Sequence, residues 1–128
     1  MMATTKIHVS KDAPAPIGPY SQAVEVNGFI YCSGQIPLDP ATGAMVGTTV
    51  GEQSHQVMKN IQAVLASADL TLKNVVKTTI FLVDMADFQA VNEVYASYMG
   101  ETKPARSTIA VQGLPKGSRV EIEVLAAR

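Results

Sequence analysis

Arg106 and Glu121 are the side chains in this sequence best suited to chemistry. They lie in the segment Pro-Ala-Arg-Ser-Thr-Ile-Ala-Val-Gln-Gly-Leu-Pro-Lys-Gly-Ser-Arg-Val-Glu-Ile-Glu, from Pro104 to Glu123. The pattern reads as two alternating strands joined by a Leu-Pro-Lys-Gly turn. An arginine fixed at a strand entrance suits capture of a small carboxylate, because its planar fork matches the two oxygens. A glutamate held on a strand can move a proton or position a water. Together they predict a site for a small acidic metabolite.

Other elements must hold these two groups. Val24-Glu25-Val26, Asn27-Gly28 and Phe29 to Ser33 form a hairpin signal, since Asn-Gly supplies the positive φ angles of a two-residue turn. The Pro-rich stretch from Lys11 to Pro19 predicts an irregular, stiff loop, and Pro37 to Gly47 predicts turns or a loose hairpin. A helix is expected from about Gly51 to Ala68. Val57, Ile61, Val64, Leu65 and Ala68 share one face there, with Gln56, Lys59, Asn60 and Ser67 elsewhere. Asp69 stands where a left-handed cap is wanted. Val75 to Val83 reads as a central strand, with Val76, Thr78, Ile80 and Leu82 on one face. A second helix should start near Asp84 or Asp87 and end near Met99, burying Phe88, Val91, Tyr95 and Met99. Strands at about Ser107 to Gln112 and Arg119 to Ala126 complete a single α+β domain over residues 1–128, with two helices on one face of a mixed sheet.

Strand arithmetic limits how Arg106 and Glu121 can cooperate. A simple hairpin about Pro115-Lys116 would set Glu121 opposite Ala110, leaving Arg106 more than roughly 10 Å away. Either the last two strands are not direct neighbours or the groups meet across a subunit boundary, and the second is preferred. The central strand looks apolar on both faces while helices cover only one, so self-association is expected.

Composition narrows the function classes. The chain has 128 residues, a net charge of −1 and 5% aromatic residues without Trp, so neither the basic stripe nor the stacking aromatics of a nucleic-acid binder is evident. Cys32 is alone, and His8 and His55 are far apart, so neither a disulfide nor a zinc site is expected. No apolar run reaches the ~20 residues of a membrane span. The start, Met1 to Lys6, lacks the apolar segment of a signal peptide, so a reducing, cytoplasmic setting is expected.

Five separated motifs carry a resemblance. Ile17-Gly18-Pro19-Tyr20-Ser21-Gln22-Ala23, Ser33-Gly34-Gln35-Ile36, Val76-Lys77-Thr78-Thr79, Asp87-Phe88 with Val91-Asn92, and Pro-Ala-Arg-Ser to Glu-Ile-Glu together resemble the RidA (YjgF-type) family of reactive-intermediate deaminases. The resemblance covers the chain from about Lys6 onward. It implies a chorismate-mutase-like fold and a homotrimer whose sheets form a central barrel, with sites in clefts between subunits. The implied activity is hydrolysis of enamines and imines such as 2-aminoacrylate to a 2-keto acid and ammonia, without cofactor or metal. By the same resemblance Arg106 binds the substrate carboxylate and Glu121 handles the water and the departing ammonia. Tyr20, Ser33, Gly34 and Asn92 match positions lining the cleft, and Glu123 reads as a solvated neighbour.

One position departs from the pattern. Many family members have a cysteine two residues after the arginine, where this chain has Thr108, so no thiol role transfers and only backbone contacts remain available. Cys32 lies in a different strand and reads as an inert thiol. Two other functions compete: ribonuclease activity with translation inhibition, to which relatives of the family have been linked, and non-enzymatic metabolite binding or holdase action.

Overall fold

Six strands and two helices form in the order β1 (Lys6–His8), β2 (Ala23–Val26), β3 (Phe29–Cys32), α1 (Val50–Ser67), β4 (Val75–Leu82), α2 (Phe88–Met99), β5 (Ala105–Ala110) and β6 (Val120–Ala127). The computed structural model describes residues 4–128, so Met1 to Ala3, the start of the segment read for a leader, lie outside it. One mixed sheet runs β1-β2-β3-β6-β4-β5, antiparallel throughout except for the parallel β4–β5 pair. A helix joins β4 to β5, as parallel neighbours require, whereas β6 returns antiparallel on the other side of β4. The last two strands are therefore not a hairpin; β4 lies between them.

Local chemistry sets the element ends. Asn27 and Gly28 take φ of 52° and 80°, which closes the β2–β3 turn as Asn-Gly predicts. Thr49 and Glu52 form a reciprocal cap at the start of α1, each side chain accepting from the other's backbone N–H. Asp69, at φ 60°, provides the left-handed exit. Asp84 caps a short 3-10 turn leading into α2, while Asp87 instead pairs with Arg119 at 2.8 Å.

The core lies between the helices and one sheet face. Val57, Ile61, Val64 and Leu65 of α1, with Val91 and Tyr95 of α2, pack on Ile30, Ile80, Leu82, Val120 and Ile122. Two sequence expectations need correction. Val76 is not on the face of Thr78: a bulge between Val75 and Lys77 turns Val75 inward and leaves Val76 exposed. Asn60 is not on the solvent side of α1. It is buried and donates to the carbonyls of Leu38 and Ile36, pinning the 36–38 loop to the helix.

Among the described residues, no helix covers the opposite sheet face. Ile7, Val24, Tyr31, Leu125, Lys77 and Ala105 lie side by side across all six strands, and Phe29, Phe81 and Ile109 flank them. Tyr31 is 52% and Ile109 45% exposed, so apolar side chains face outward there, interspersed with Lys77 and Glu123. Among the described residues, no helix is long and apolar enough to cross a membrane.

Glu25 ties the chain ends to the sheet, since its carboxylate accepts from Arg128 Nε and Nη2 at 2.8 and 2.9 Å and meets His8 Nε2 at 2.8 Å. Hydrogen bonds from Arg128, then His8, hold its carboxyl down at about 2, against an ordinary value of 4.5. A depressed folded-state pKa contributes stability above the ordinary value, lost as pH falls from there towards about 2. The urea midpoint should therefore fall across that window more for the native protein than for Glu25→Gln; equal acid sensitivity would refute the assignment.

Candidate functional site

Arg106 sits on β5 directly beside Thr78 of β4, so its side chain leaves the sheet on the helix-covered face. There α2 provides a bed. Arg106 Nη1 donates to Asn92 Oδ1 at 2.7 Å, and the guanidinium carbon lies 5.2 and 5.6 Å from the ring centres of Tyr95 and Phe88. Distances under ~6 Å suit cation–π attraction. Tyr95 is fixed from below, its hydroxyl 3.0 Å from the buried Thr78 Oγ1. No carboxylate among the described residues pairs with Arg106, whose only side-chain hydrogen-bond partner there is Asn92. It is an exposed, oriented cation with donors to spare.

Thr108 follows on the same face of β5, beside Ile80. Its hydroxyl oxygen is buried without a hydrogen-bond partner. Sequence reasoning read Phe88 and Tyr95 as core residues and missed that they support the arginine. The signal was present: both lie on the helix that carries Asn92, at positions sharing its face.

Glu121 belongs to the other side of the sheet. It pairs with Phe81, three residues along β4 from Thr78, so successive alternation turns it to the uncovered face. Burial, and then the Glu123 carboxylate two residues on, push the Glu121 carboxyl above its ordinary value. Glu123 is thus more than a solvated neighbour, because it loads like charge onto Glu121.

Gly34 explains how Glu121 is seated. Tyr31 pairs with Leu125, but Gln35 pairs with Ile122, so three residues stand against two across this gap. The bulge brings Gly34 onto the Glu121 carboxylate, and a β-carbon on Gly34 would overlap its Oε2. Gly34→Ala is therefore expected to displace the Glu121 carboxylate and, with a proton-transfer role for Glu121, to lower turnover at least about tenfold. Unchanged turnover in a folded Gly34→Ala protein would remove Glu121 from the site. Ser33 anchors the same bend, its N–H donating to Gln22 O and its hydroxyl to Ser21 O. Tyr20, half exposed on the preceding loop, lines a small cavity of about 40 Å³ with Ile17, Gly34 and Ile36.

The expected residues therefore form two groups. Tyr20, Ser33, Gly34 and Glu121 gather around the β3 end, while Asn92, Arg106 and Thr108 gather between β5 and α2. With two strand spacings and three residues between them, Arg106 and Glu121 are roughly 14 Å apart in backbone position, and they point to opposite faces. They do not meet within one chain. Of the two alternatives posed by the strand arithmetic, the structure bears out the one not preferred: β4 separates the two strands, so they are not direct neighbours.

Cys32 is half buried, and desolvation pushes its thiol up to about 12, so it remains protonated and unreactive. His8 is engaged by Glu25, and His55 makes an edge contact with Tyr98.

Comparisons with known proteins converge on one family. Residues 10–128 match the family model described as endoribonuclease L-PSP. The chain is 49% identical over 123 residues to a mouse 2-iminobutanoate/2-iminopropanoate deaminase, covering 96% of this chain and 91% of that one. It is 49% identical over 117 residues to a RutC family protein of Pyrococcus horikoshii, covering 91% and 93%. A Yersinia pestis protein of unknown function from the conserved Rid family superposes with a TM-score of 0.95 at 48% identity, covering 98% of this chain and all of that one.

Proposed function

Because the chain belongs to the YjgF/RidA family, we propose that it hydrolyses reactive 2-enamine and 2-imino acids, such as 2-aminoacrylate and 2-iminopropanoate, to 2-keto acids and ammonia. The carrying observation is the oriented, carboxylate-free guanidinium of Arg106. A planar fork held against aromatic rings loses little freedom when it closes on a substrate carboxylate. The mouse relative's name supports the same reaction class.

In this reading Arg106 holds the carboxylate by two charge-assisted hydrogen bonds and fixes the iminium carbon in place. Glu121 of a neighbouring subunit takes a proton from water as its oxygen bonds to that carbon, giving a carbinolamine. The proton passes to the amine nitrogen, the C–N bond breaks, and ammonia leaves as the carbonyl forms. One water enters, and a 2-keto acid and ammonia depart. A carboxyl with a raised pKa suits this task, being basic enough to accept the proton and acidic enough to return it.

The uncovered apolar sheet face supports self-association, and the family resemblance gives it the form of a homotrimer with a central barrel. A cytoplasmic setting suits substrates released by pyridoxal-phosphate enzymes. The ribonuclease reading has less to stand on: the net charge is −1, and His8 and His55 occupy unrelated places. The test generates 2-aminoacrylate with a serine dehydratase and follows pyruvate release. Acceleration by the purified protein supports the proposal, and a rate equal to the uncatalysed one rejects it.

A further inference from the structure

A cavity of about 270 Å³ opens beside Arg106, between the C-terminal half of α2 and the connection that leads into β5. It is lined by Asn92, Tyr95, Met99, Thr102, Lys103 and Arg106, among others. The wall has two cations and no acidic residue, in a chain whose net charge is −1. Glu101 faces the adjoining groove with Lys73 instead. Neither Lys103 nor Arg106 is paired with a carboxylate among the described residues. The cavity is larger than a three-carbon imino acid requires, and its charge is uncompensated.

We propose that this cavity is a side-chain subsite in which Lys103 binds the distal carboxylate of a dicarboxylic imino acid while Arg106 holds the other carboxylate. Lys103 and Arg106 stand three residues apart, at most roughly 10 Å in backbone position, and both line the cavity. Their long side chains close that distance to the span of a four- or five-carbon diacid. Thr102 and Asn92 supply polar contacts, while Met99 and Tyr95 provide an apolar wall for the methylene groups. The substrate class is then 2-imino acids with a second acid group, 2-iminoglutarate being the five-carbon case. A lysine suits this role, because a flexible point charge reaches acids of different lengths.

The inference rests on the carboxylate role given to Arg106, so its test has one arm that needs no turnover. Calorimetry at low salt compares glutarate with butyrate on the intact protein. Glutarate is expected to bind at least about tenfold more tightly, the scale of one added charge-assisted contact, and Lys103→Glu is expected to abolish the difference. Equal binding of the two acids, or a preference that survives Lys103→Glu, overturns the subsite. The second arm compares kcat/KM for 2-iminoglutarate and 2-iminopropanoate, each generated by an amino-acid oxidase. Lys103→Glu should lower the ratio of the first to the second about tenfold or more, and an unchanged ratio also overturns it. Hydrolysis of neither imine rejects the deaminase reading, and the binding arm alone then decides the subsite.

Discussion

Arg106→Ala lowers kcat/KM for 2-iminopropanoate by about 10²–10⁴-fold, the loss expected from removing two charge-assisted hydrogen bonds worth roughly 1.5–3 kcal/mol each. Most of that loss should appear in KM, because the carboxylate carries its charge in the ground state as much as in the transition state. Arg106→Lys keeps the charge but loses the fork and the flat stacking on Tyr95 and Phe88. It should recover only part of the deficit, about tenfold. Both variants should fold normally, since Arg106 is exposed and its side chain has only Asn92 as hydrogen-bond partner among the described residues. Steady-state kinetics on the two variants check this; Arg106→Lys with native KM would show that only charge matters there.

Glu121→Gln has the opposite kinetic signature. It should reduce kcat by about 10²–10⁴-fold, the usual worth of a positioned acid–base group, while KM stays near native. The pH profile adds a signed test. Burial and Glu123 both raise the Glu121 carboxyl, so the acid limb of kcat/KM should lie above the ordinary value of 4.5. Glu123→Gln removes the like charge and should move that limb to lower pH. Stability should follow the same group. A raised folded-state pKa means that stability is greatest below 4.5 and declines as pH rises through the folded value. Glu121→Gln removes that decline, so the inactive variant should be at least as stable as the native protein near neutrality. An acid limb at the ordinary carboxylate position, unmoved by Glu123→Gln, would take the proton-transfer role away from Glu121.

The fold was legible where local chemistry dominates. Asn27-Gly28 specifies its turn through positive φ, and the spacing of Val57, Ile61 and Val64 specifies the buried stripe of α1. The Thr49–Glu52 cap is equally readable, as Thr-x-x-Glu before an apolar run. β1 escaped because three residues are too short to show alternation and are held by pairing with β2. The bulge at Val76 escaped because Val75 and Val76 are both apolar, so either could be read as the inward residue.

The site was legible as residues and not as geometry. Arg106 and Glu121 stood out by type and context, but their separation depends on long-range pairing. A helix between β4 and β5 suggests a parallel pair, but the place of β6 on the far side of β4 and the opposite facing of the two groups follow from sheet order and register. Gly34 was matched to a position lining the cleft, and the structure sets it in a bulge. Its second role, giving room to the Glu121 carboxylate, follows from a register shift that a sequence does not display.

A mixture experiment probes the geometry without relying on any single variant. Arg106→Ala and Glu121→Gln proteins, each nearly inactive, are unfolded together in equal amounts, refolded, and assayed for imine hydrolysis. In a closed ring of subunits, a pocket drawing its guanidinium from one chain and its carboxyl from the next should be intact in about a quarter of cases, restoring about a quarter of native activity. A mixture no more active than its two components would contradict a shared pocket.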